Sequence, residues 1–238
     1  MKTVGIIGFN GFGEFLASKL DGLVDLHVSS RDPSVVPDKW RSTFEQAVEC
    51  DYLILSIPLS AYEQVLRDVS SIIRSSTIIV DICSVKVRPT ELLRLYVPHQ
   101  KVVITHPLFG PQSAADSLEG HTVVLCPDES DYESCVVVKK FCESLGLDVK
   151  EMSAEEHDKE MANVHALTFF VARTLLQMGV HDSTLHTPSF RRILDLADLE
   201  KHHSEDLFRT IQLANPYAEA TRKRFIETAT YLDSSLSE

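Results

Sequence analysis

A glycine-rich turn, GFNGFG at residues 8–13, follows the apolar run TVGIIG and precedes a segment with helical spacing. Glycines between a strand and a helix let the backbone approach a pyrophosphate, and the N–H groups at the helix start then face the phosphate oxygens. The turn therefore predicts dinucleotide binding, although its order, G-x-x-G-x-G, departs from the familiar G-x-G-x-x-G. The alternative is a glycine-rich turn that binds nothing.

The glycines of this turn have separate expected roles. Gly8 makes the tight turn, and Gly13 lets the helix and the strand pack closely. Gly11 takes over the approach to the phosphates from the missing middle glycine. Asn10 stands beside it, and asparagine tolerates left-handed backbone angles better than most residues do.

The end of the second strand candidate indicates which dinucleotide binds. An acid there usually meets the ribose hydroxyls of NAD, whereas an arginine accommodates the 2′-phosphate of NADP. The segment SSRDP offers Ser29, Ser30 and Arg31, two hydroxyls and a guanidinium that suit a phosphate. The sequence therefore favours NADP over NAD. In the alternative, Arg31 is a solvated surface charge and Asp32 binds the ribose.

Two further segments, DICSVK at residues 81–86 and THPLFGPQS at residues 105–113, follow later strand candidates. Ligands of an open α/β sheet bind at the carboxyl ends of its strands. His106 follows the run KVVIT and is expected to accept a proton or a hydrogen bond from a substrate hydroxyl. Ser84 lies at the end of the preceding strand and is expected to orient either His106 or the substrate hydroxyl. The alternative is a structural histidine that caps a strand.

The pattern of apolar residues predicts the elements that position these groups. Apolar runs that alternate with helical segments are typical of a parallel sheet covered on both sides. After Met152 no strand candidate remains; Ser153 with Glu156 forms a capping pattern, and a long helix over residues 153–180 and three more helices follow. The sequence predicts a Rossmann-type doubly wound, mostly parallel α/β domain at residues 1–152 and an all-helical dimerisation domain at residues 153–238. The strand candidates are TVGIIG, VDLHVSS, YLILSIP, TIIVDIC, KVVITH, HTVVLCP and LDVKEMS.

Composition excludes several classes of protein. The 238 residues are 44% hydrophobic and 24% charged, which is ordinary for a soluble globular protein. No apolar run approaches a membrane span, and a net charge of −12 without a basic stripe argues against nucleic-acid binding. Five cysteines without a C-x-x-C pair favour reduced thiols in the cytoplasm over disulfides or a metal site.

The chain resembles the prephenate/arogenate dehydrogenase family of tyrosine biosynthesis, and its plant and archaeal branches more than the bacterial one. The resemblance rests on GFNGFG, SSRDP, DICSVK and THPLFGPQS, together with EEHD at residues 155–158 and NPYA at residues 215–218. It implies an oxidative decarboxylation of prephenate or arogenate, in which a ring carbon gives hydride to the nicotinamide and the carboxylate leaves as carbon dioxide. It also implies a homodimer formed through the helical domain.

The resemblance assigns residues to this reaction. His106 corresponds to the catalytic histidine that binds the ring hydroxyl, and Ser84 to the serine that positions it. Gln112 and Ser113 fall in the loop that contacts substrate, and His165 and Thr168 on the long helix are further expected substrate contacts. The expected cofactor contacts are Gly8, Phe9, Asn10, Gly11, Phe12, Gly13, Ser29, Ser30, Arg31, Ser56, Ile57 and Pro58.

Two positions depart from the family pattern, and two other functions stay open. Bacterial relatives place an arginine in the helical domain to bind the side-chain carboxylate, where this chain has Leu199. Many relatives have a histidine where this chain has Phe169, and His165 lies one turn earlier. An oxidoreductase of the β-hydroxyacid type would use a lysine, but the long helix offers only Lys159, near its start. A non-catalytic NADPH-binding sensor would have no use for Ser84 together with His106. Of the other histidines, His157 is expected to be structural, and the His202–His203 pair to lie in a polar loop.

Overall fold

The structure, a computed structural model, describes residues 1–128, 131–185, 187–201 and 203–236, with the side chain of Leu199 left undescribed. The chain forms two compact units, Met1–His157 (unit 1) and Asp158–Glu238 (unit 2). The sequence predicted a domain boundary after residue 152, whereas the units divide five residues later, within a helix.

Unit 1 is built on a seven-stranded sheet with the order β2-β1-β3-β4-β5-β6-β7. The first five strands are parallel, β6 is antiparallel to β5, and β7 is parallel to β6. The strand order reverses between β1 and β3, which makes their carboxyl ends the switch point where ligands of such sheets bind. The strands are β1 Thr3–Ile7, β2 Asp25–Ser29, β3 Tyr52–Leu55, β4 Ile78–Asp81, β5 Lys101–Pro107, β6 Thr122–Cys126 and β7 Asp148–Glu151.

Both faces of the sheet are buried, as the apolar runs predicted. Ile6 of β1 belongs to one core cluster, and its neighbour Ile7 belongs to the cluster on the other face. Burying such a side chain fully contributes roughly 1.5–3 kcal/mol, so each two-sided strand fixes the sheet between its helices. The predicted doubly wound, mostly parallel α/β fold is confirmed. The helices of unit 1 are α1 Gly11–Leu20, α2 Phe44–Val48, α3 Tyr62–Ser70, α4 Val87–Tyr96 and α5 Tyr132–Ser144.

The antiparallel strand β6 follows from its connection. Residues 108–121, between β5 and β6, contain no helix, and a parallel neighbour would require a crossover of a dozen or more residues, usually helical. The chain therefore turns back at the carboxyl end of β5. This connection keeps the segment PLFGPQS at the same edge of the sheet as the end of β1.

The last helix of unit 1, α6 Ala154–Met161, continues into unit 2 and starts at the predicted cap. Ser153 Oγ accepts a hydrogen bond from the N–H of Glu156 at 3.2 Å, and the Glu156 carboxylate accepts from the N–H of Ser153 at 2.9 Å. This reciprocal pair is a capping box, and it satisfies two backbone donors at the helix start.

Unit 2 is helical, but the predicted long helix is interrupted. A π-helical turn at Ala162–Ala166 separates α6 from α7 Leu167–Gln177, and a second, at Thr210–Ala214, follows helix α9 Glu205–Arg209. The two turns are joined because Gln212 Nε2 donates to the carbonyl of Ala166 at 2.7 Å. None of the described helices is long and apolar enough to cross a membrane. The remaining helices are α8 Pro188–Lys201, α9 Glu205–Arg209 and α10 Ala218–Ser235.

Candidate dinucleotide and catalytic site

The two outer glycines of the turn are required by packing. Gly8 has φ +102°, and a Cβ there would lie 2.0 Å from the carbonyl oxygen of Ser56. A Cβ on Gly13 would lie 2.3 Å from the carbonyl oxygen of Gly8. By contrast, a Cβ on Gly11 would meet nothing within 4 Å. Gly11 therefore leaves the space in front of the turn open, where a phosphate could approach the backbone.

Asn10 does not adopt the left-handed conformation that the sequence suggested. Its backbone is extended (φ −89°, ψ 179°), and among the described residues every positive φ belongs to a glycine. Asn10 is instead the N-cap of α1: its Oδ1 accepts from the N–H of Gly13 at 3.1 Å, and its Nδ2 donates to the carbonyl of Ser56 at 3.0 Å. The side chain thus ties the helix start to the end of β3.

The carboxyl ends of three strands meet at this turn. The N–H of Gly8 donates to the carbonyl of Ser29 at 2.8 Å, and the N–H of Ser56 donates to the carbonyl of Ile7 at 2.9 Å. Ser29 and Ser56 are buried, whereas Arg31 is exposed. The structure therefore brings the predicted cofactor contacts together at the switch point of the sheet. The partly buried members of the set are Gly8, Phe9, Phe12, Ser30, Ile57 and Pro58.

Asp32, the residue that could have bound a ribose, is engaged in its own turn. Its Oδ1 accepts from the hydroxyl of Ser34 at 2.6 Å and from the N–H of Ser34 at 3.0 Å, which caps the short 3₁₀ turn Pro33–Val35. These two hydrogen bonds lower the pKa of Asp32. The carboxylate is therefore charged and held by Ser34 at neutral pH.

The connection after β5 packs on the helix of the glycine turn. The ring of Phe109 lies 6.3 Å from the rings of both Phe12 and Phe15 of α1, and 5.2 Å from His121. Within the same connection, Ser113 Oγ accepts from the N–H of Gly110 at 3.0 Å, and Gln112 is exposed. The segment that holds the expected substrate contacts Gln112 and Ser113 is thus anchored by Phe109 to α1.

His106 lies near the end of β5 and has a partner that sequence reasoning missed. Its Nδ1 lies 2.8 Å from Nε2 of His157, and the rings meet edge to face with centroids 5.0 Å apart. His157 is completely buried on α6, whereas the sequence suggested only a structural residue at a helix start. The sequence signal for His157 was the motif EEHD at residues 155–158, which is one of the motifs that carry the family resemblance.

A buried charged network supports the strand end that carries His106. Lys86 contacts both Asp81 Oδ2 and the carbonyl of Thr105, and neither the Lys86 nor the Asp81 side chain is exposed. Tyr62 Oη donates to Asp81 Oδ1 at 2.5 Å, and Thr105 Oγ1 donates to the carbonyl of Asp81 at 2.8 Å. The network therefore fixes Thr105, the residue directly before His106.

Within the segment DICSVK, Ser84 was predicted from the sequence to be functional, whereas Asp81 and Lys86 were not. Ser84 lies partly buried in the connection between β4 and α4, three residues after the end of β4, the strand next to β5. Its neighbour Cys83 is no nucleophile at neutral pH, because burial and the nearby Asp81 carboxylate raise the pKa of its thiol to about 12. Burial and Asp81 also raise the pKa of Tyr62, which stays protonated as a donor.

In unit 2, the ring of Phe169, at the position where the resemblance implies a histidine, is buried. His165, in the first π-helical turn, lies 4.5 Å from this ring, and His203 lies 4.6 Å from it. His203 lies in the connection between α8 and α9, as the sequence predicts, but it is half-buried; His202 lies outside the described residues. Thr168 Oγ1 donates to the carbonyl of Val164 at 2.6 Å, a bond within its own helix.

A sheet with its glycine turn at the switch point, and with polar side chains at the carboxyl ends of neighbouring strands, defines an α/β dinucleotide-binding protein. Residues 29–151, more than half of the chain, match the family model described as prephenate dehydrogenase, nucleotide-binding domain. The chain therefore belongs to the prephenate dehydrogenase family, which confirms the resemblance found in the sequence. The matched residues begin at the end of β2, after the glycine turn.

Curated relatives carry names of the same family. The chain is 30% identical over 232 residues to arogenate dehydrogenase 2, chloroplastic, of Arabidopsis thaliana, covering 90% of this chain and 64% of the relative. It is 27% identical over 195 residues to the probable arogenate/prephenate dehydrogenase of Methanocaldococcus jannaschii, covering 78% of this chain and 43% of the relative. The chain thus spans less than two thirds of the length of either relative.

Solved structures share the fold. Prephenate dehydrogenase from Aquifex aeolicus, in complex with hydroxyphenyl propionate and NAD⁺, superposes with a TM-score of 0.81 at 22% identity and covers 100% of this chain and 91% of that one. Synechocystis arogenate dehydrogenase gives a TM-score of 0.72 at 19% identity, with 99% and 91% covered. At sequence identities below 25%, this structural similarity shows that the chain shares the fold of these proteins.

Proposed function

We propose that this protein is a prephenate or arogenate dehydrogenase, which oxidatively decarboxylates a cyclohexadienol to a 4-hydroxyphenyl product. The observation that carries the proposal is His106: a buried histidine, hydrogen-bonded through Nδ1, near the carboxyl end of β5 in the sheet whose switch point holds the glycine turn. Membership in the prephenate dehydrogenase family supports the same reaction.

The residues of the glycine turn fit a nicotinamide dinucleotide. Gly11 leaves open space where a backbone must approach a pyrophosphate, and the first N–H groups of α1 have no acceptor within the helix. A bound nicotinamide would supply the acceptor for the hydride that leaves the substrate ring. The residues proposed to hold the cofactor are Gly8, Phe9, Asn10, Gly11, Phe12, Gly13, Ser29, Ser30, Arg31, Ser56, Ile57 and Pro58.

The protein's own contribution is to polarise and orient the substrate. His106 accepts the proton of the ring hydroxyl while the ring carbon is oxidised, and it returns the proton when the ring becomes aromatic. Ser84, on the connection after β4, is proposed to orient the substrate's ring hydroxyl. Gln112, Ser113, His165 and Thr168 are further proposed substrate contacts.

A direct assay tests the function. Purified protein would be mixed with prephenate or arogenate and either NADP⁺ or NAD⁺, and the absorbance of the reduced nicotinamide would be followed. Turnover with one or both substrates is the expected result. Absence of turnover with all four combinations, in protein shown to be folded by circular dichroism, would contradict the proposal.

The cofactor is proposed to be NADP, with Arg31 as the reason. Arg31 is exposed at the end of β2, while Asp32 is occupied by Ser34. A guanidinium on a phosphate makes a charge-assisted hydrogen bond, and such bonds contribute roughly 1.5–3 kcal/mol. We therefore expect Arg31→Ala to raise the Michaelis constant for NADP⁺ by about ten-fold or more and to leave that for NAD⁺ nearly unchanged.

The measurement is kcat/KM for both cofactors in the wild type and the variant. Arg74→Ala is the matched control, since Arg74 is an exposed arginine at the opposite, amino-terminal edge of the sheet. Its Michaelis constants should match the wild type. A wild type that prefers NAD⁺, or an Arg31→Ala variant that loses both cofactors equally, would show that SSRDP does not bind a 2′-phosphate.

We also propose a homodimer formed mainly by unit 2. The buried cluster of this unit is small, consisting of Ala166, Phe169, Ile211 and Ala218, while several large apolar side chains on its helices are exposed. Exposed apolar side chains gathered on the helices of one unit support association through that unit. The exposed residues are Val164, Met178, Leu213, Ile226, Tyr231 and Leu232.

Light scattering at micromolar concentration should give twice the mass of the chain. Leu232→Glu, which places a charge on the exposed apolar side of α10, should shift the mass towards that of a single chain. The matched control is Leu95→Glu, at an exposed leucine of unit 1, and it should leave the mass unchanged. A monomeric wild type would refute the homodimer.

The cytoplasm is the proposed location. All five cysteines are free thiols, and three of them, Cys50, Cys126 and Cys135, are buried. Free thiols agree with a reducing compartment. The name of the Arabidopsis relative specifies the chloroplast. Fluorescence microscopy of the tagged protein would distinguish a cytoplasmic from a chloroplast location.

A further inference from the structure

The hydrogen bond between His106 and His157 restricts which protons the pair can hold. Nδ1 of His106 and Nε2 of His157 are 2.8 Å apart, so one of these nitrogens carries a proton and the other accepts it. Two imidazolium rings would place two N–H groups against each other, and the bonded pair therefore holds at most one positive charge. Any exchange of a proton between His106 and a substrate must use Nε2, because Nδ1 is committed to His157.

Two arrangements of the shared proton are possible, and they have opposite consequences. If His157 donates, the neutral His106 carries its proton on Nε2 and has no lone pair to offer a hydroxyl. If His106 Nδ1 donates, Nε2 is bare and can accept. A histidine that accepts the proton of a substrate hydroxyl requires the second arrangement.

We propose that His157 is a positioning residue: its Nε2 accepts a hydrogen bond from the Nδ1–H of His106 and so holds His106 in the tautomer with a bare Nε2. The inference rests on the function proposed above. Burial strengthens the bond that this role requires, since His106 is 4% exposed and His157 is completely buried, so water competes little for it. The logic is that of a catalytic histidine oriented through its second ring nitrogen by a buried acceptor.

The proton balance of the reaction fits this arrangement. As hydride leaves the ring carbon, the electrons of the hydroxyl O–H bond form the carbon–oxygen double bond and the proton moves to His106 Nε2. When the carbon–carboxylate bond breaks, its electrons enter the ring, carbon dioxide leaves, and Nε2 returns the proton to the oxygen. No net proton is released. Between these events His106 is an imidazolium whose Nδ1–H donates to the neutral His157.

A spectroscopic test reads the tautomer without substrate or cofactor. In protein labelled with ¹⁵N-histidine, long-range ¹H–¹⁵N correlations distinguish a protonated from a bare ring nitrogen, and the signals of His106 are those that disappear in His106→Asn. We expect Nδ1 protonated and Nε2 bare in the neutral wild type. The opposite tautomer would overturn the proposal, even if the protein proves to be an active dehydrogenase.

Two substitutions of His157 test the same point by kinetics. His157→Phe keeps an aromatic ring but removes the acceptor, and we expect it to lower kcat by ~10- to 10²-fold with the KM for the cofactor unchanged. His157→Gln supplies a carbonyl that accepts from Nδ1 and should recover most of this loss. Equal activity in the wild type and His157→Phe would overturn the proposal, as would equal losses in both variants when the tautomer of His106 is unchanged.

The matched control is His27→Gln, which removes another partly buried histidine of unit 1, bonded to Ser42 Oγ at 3.1 Å. It should leave kcat and the signals of His106 unchanged. If a His157 variant fails to fold, the tautomer of His106 measured in the wild type still tests the proposal. If the wild type has no dehydrogenase activity, the proposed function fails, and the tautomer measurement separately reports whether His157 positions His106.

Discussion

Replacing His106 with asparagine should lower kcat by at least ~10²-fold, the usual range for the loss of acid–base assistance. Asparagine preserves a polar side chain of similar size, but it accepts no proton at neutral pH. The cofactor should still bind with nearly unchanged affinity, because the glycine turn and Arg31 do not depend on the imidazole. Steady-state kinetics with the preferred substrate and a separate titration with reduced cofactor measure the two quantities.

His99→Asn provides the matched control. His99 is an exposed histidine just before β5, at the opposite end of the strand that carries His106. This variant should be as active as the wild type. Full activity in His106→Asn would remove His106 from the mechanism, and an equal loss of activity and cofactor affinity would indicate a damaged fold instead.

Replacing Lys86 with methionine should reduce the free energy of unfolding by about 3–5 kcal/mol, the usual cost of leaving one member of a buried ion pair alone. Lys86 and Asp81 are both completely buried, and Lys86 also contacts the carbonyl of Thr105. Methionine fills a similar volume, so the loss reports the missing charge rather than a cavity. Urea denaturation followed by circular dichroism gives the free energy by linear extrapolation.

Two further variants separate charge from packing. In Asp81→Asn/Lys86→Met the isolated buried charge is removed, and part of the lost stability should return. Lys139→Met breaks an ion pair with Glu151 that is partly exposed, and it should change stability far less. A loss below ~1 kcal/mol in Lys86→Met, the scale of an exposed pair, would refute a structural role for the buried network.

Local features of the sequence determined the scaffold. Apolar runs interrupted by helical spacing specified a parallel sheet covered on both faces, and Ser153 with Glu156 specified the start of α6. The glycine turn is also visible in the sequence. Gly8 adopts φ +102°, and a Cβ at Gly8 or Gly13 would collide with the backbone, so both positions require glycine. Such signals are readable because periodicity, capping and glycine conformation depend on residues close together in the chain.

Some local expectations failed where a tertiary contact was available to the side chain. Asn10 was singled out because asparagine tolerates left-handed angles, but its side chain bonds Gly13 and Ser56, and capping the helix requires an extended backbone. The long helix after Ser153 was expected to be regular, but a π-helical turn at Ala162–Ala166 interrupts it, and Gln212 satisfies the carbonyl of Ala166. Ser56 and Gln212 lie 46 residues along the chain from Asn10 and Ala166, respectively, so no local pattern predicts these contacts.

The sequence by itself determined the fold class, the family and the positions of the glycine turn and His106. Only the tertiary structure decided what surrounds His106: His157 lies 51 residues away along the chain, and Lys86 lies 19 residues from Thr105. Buried polar groups must find partners because solvent cannot reach them, and the partner is chosen by which strand ends and helices the topology brings together. No spacing rule connects such residues, so a buried histidine pair and a buried ion pair become visible only when the sheet is assembled.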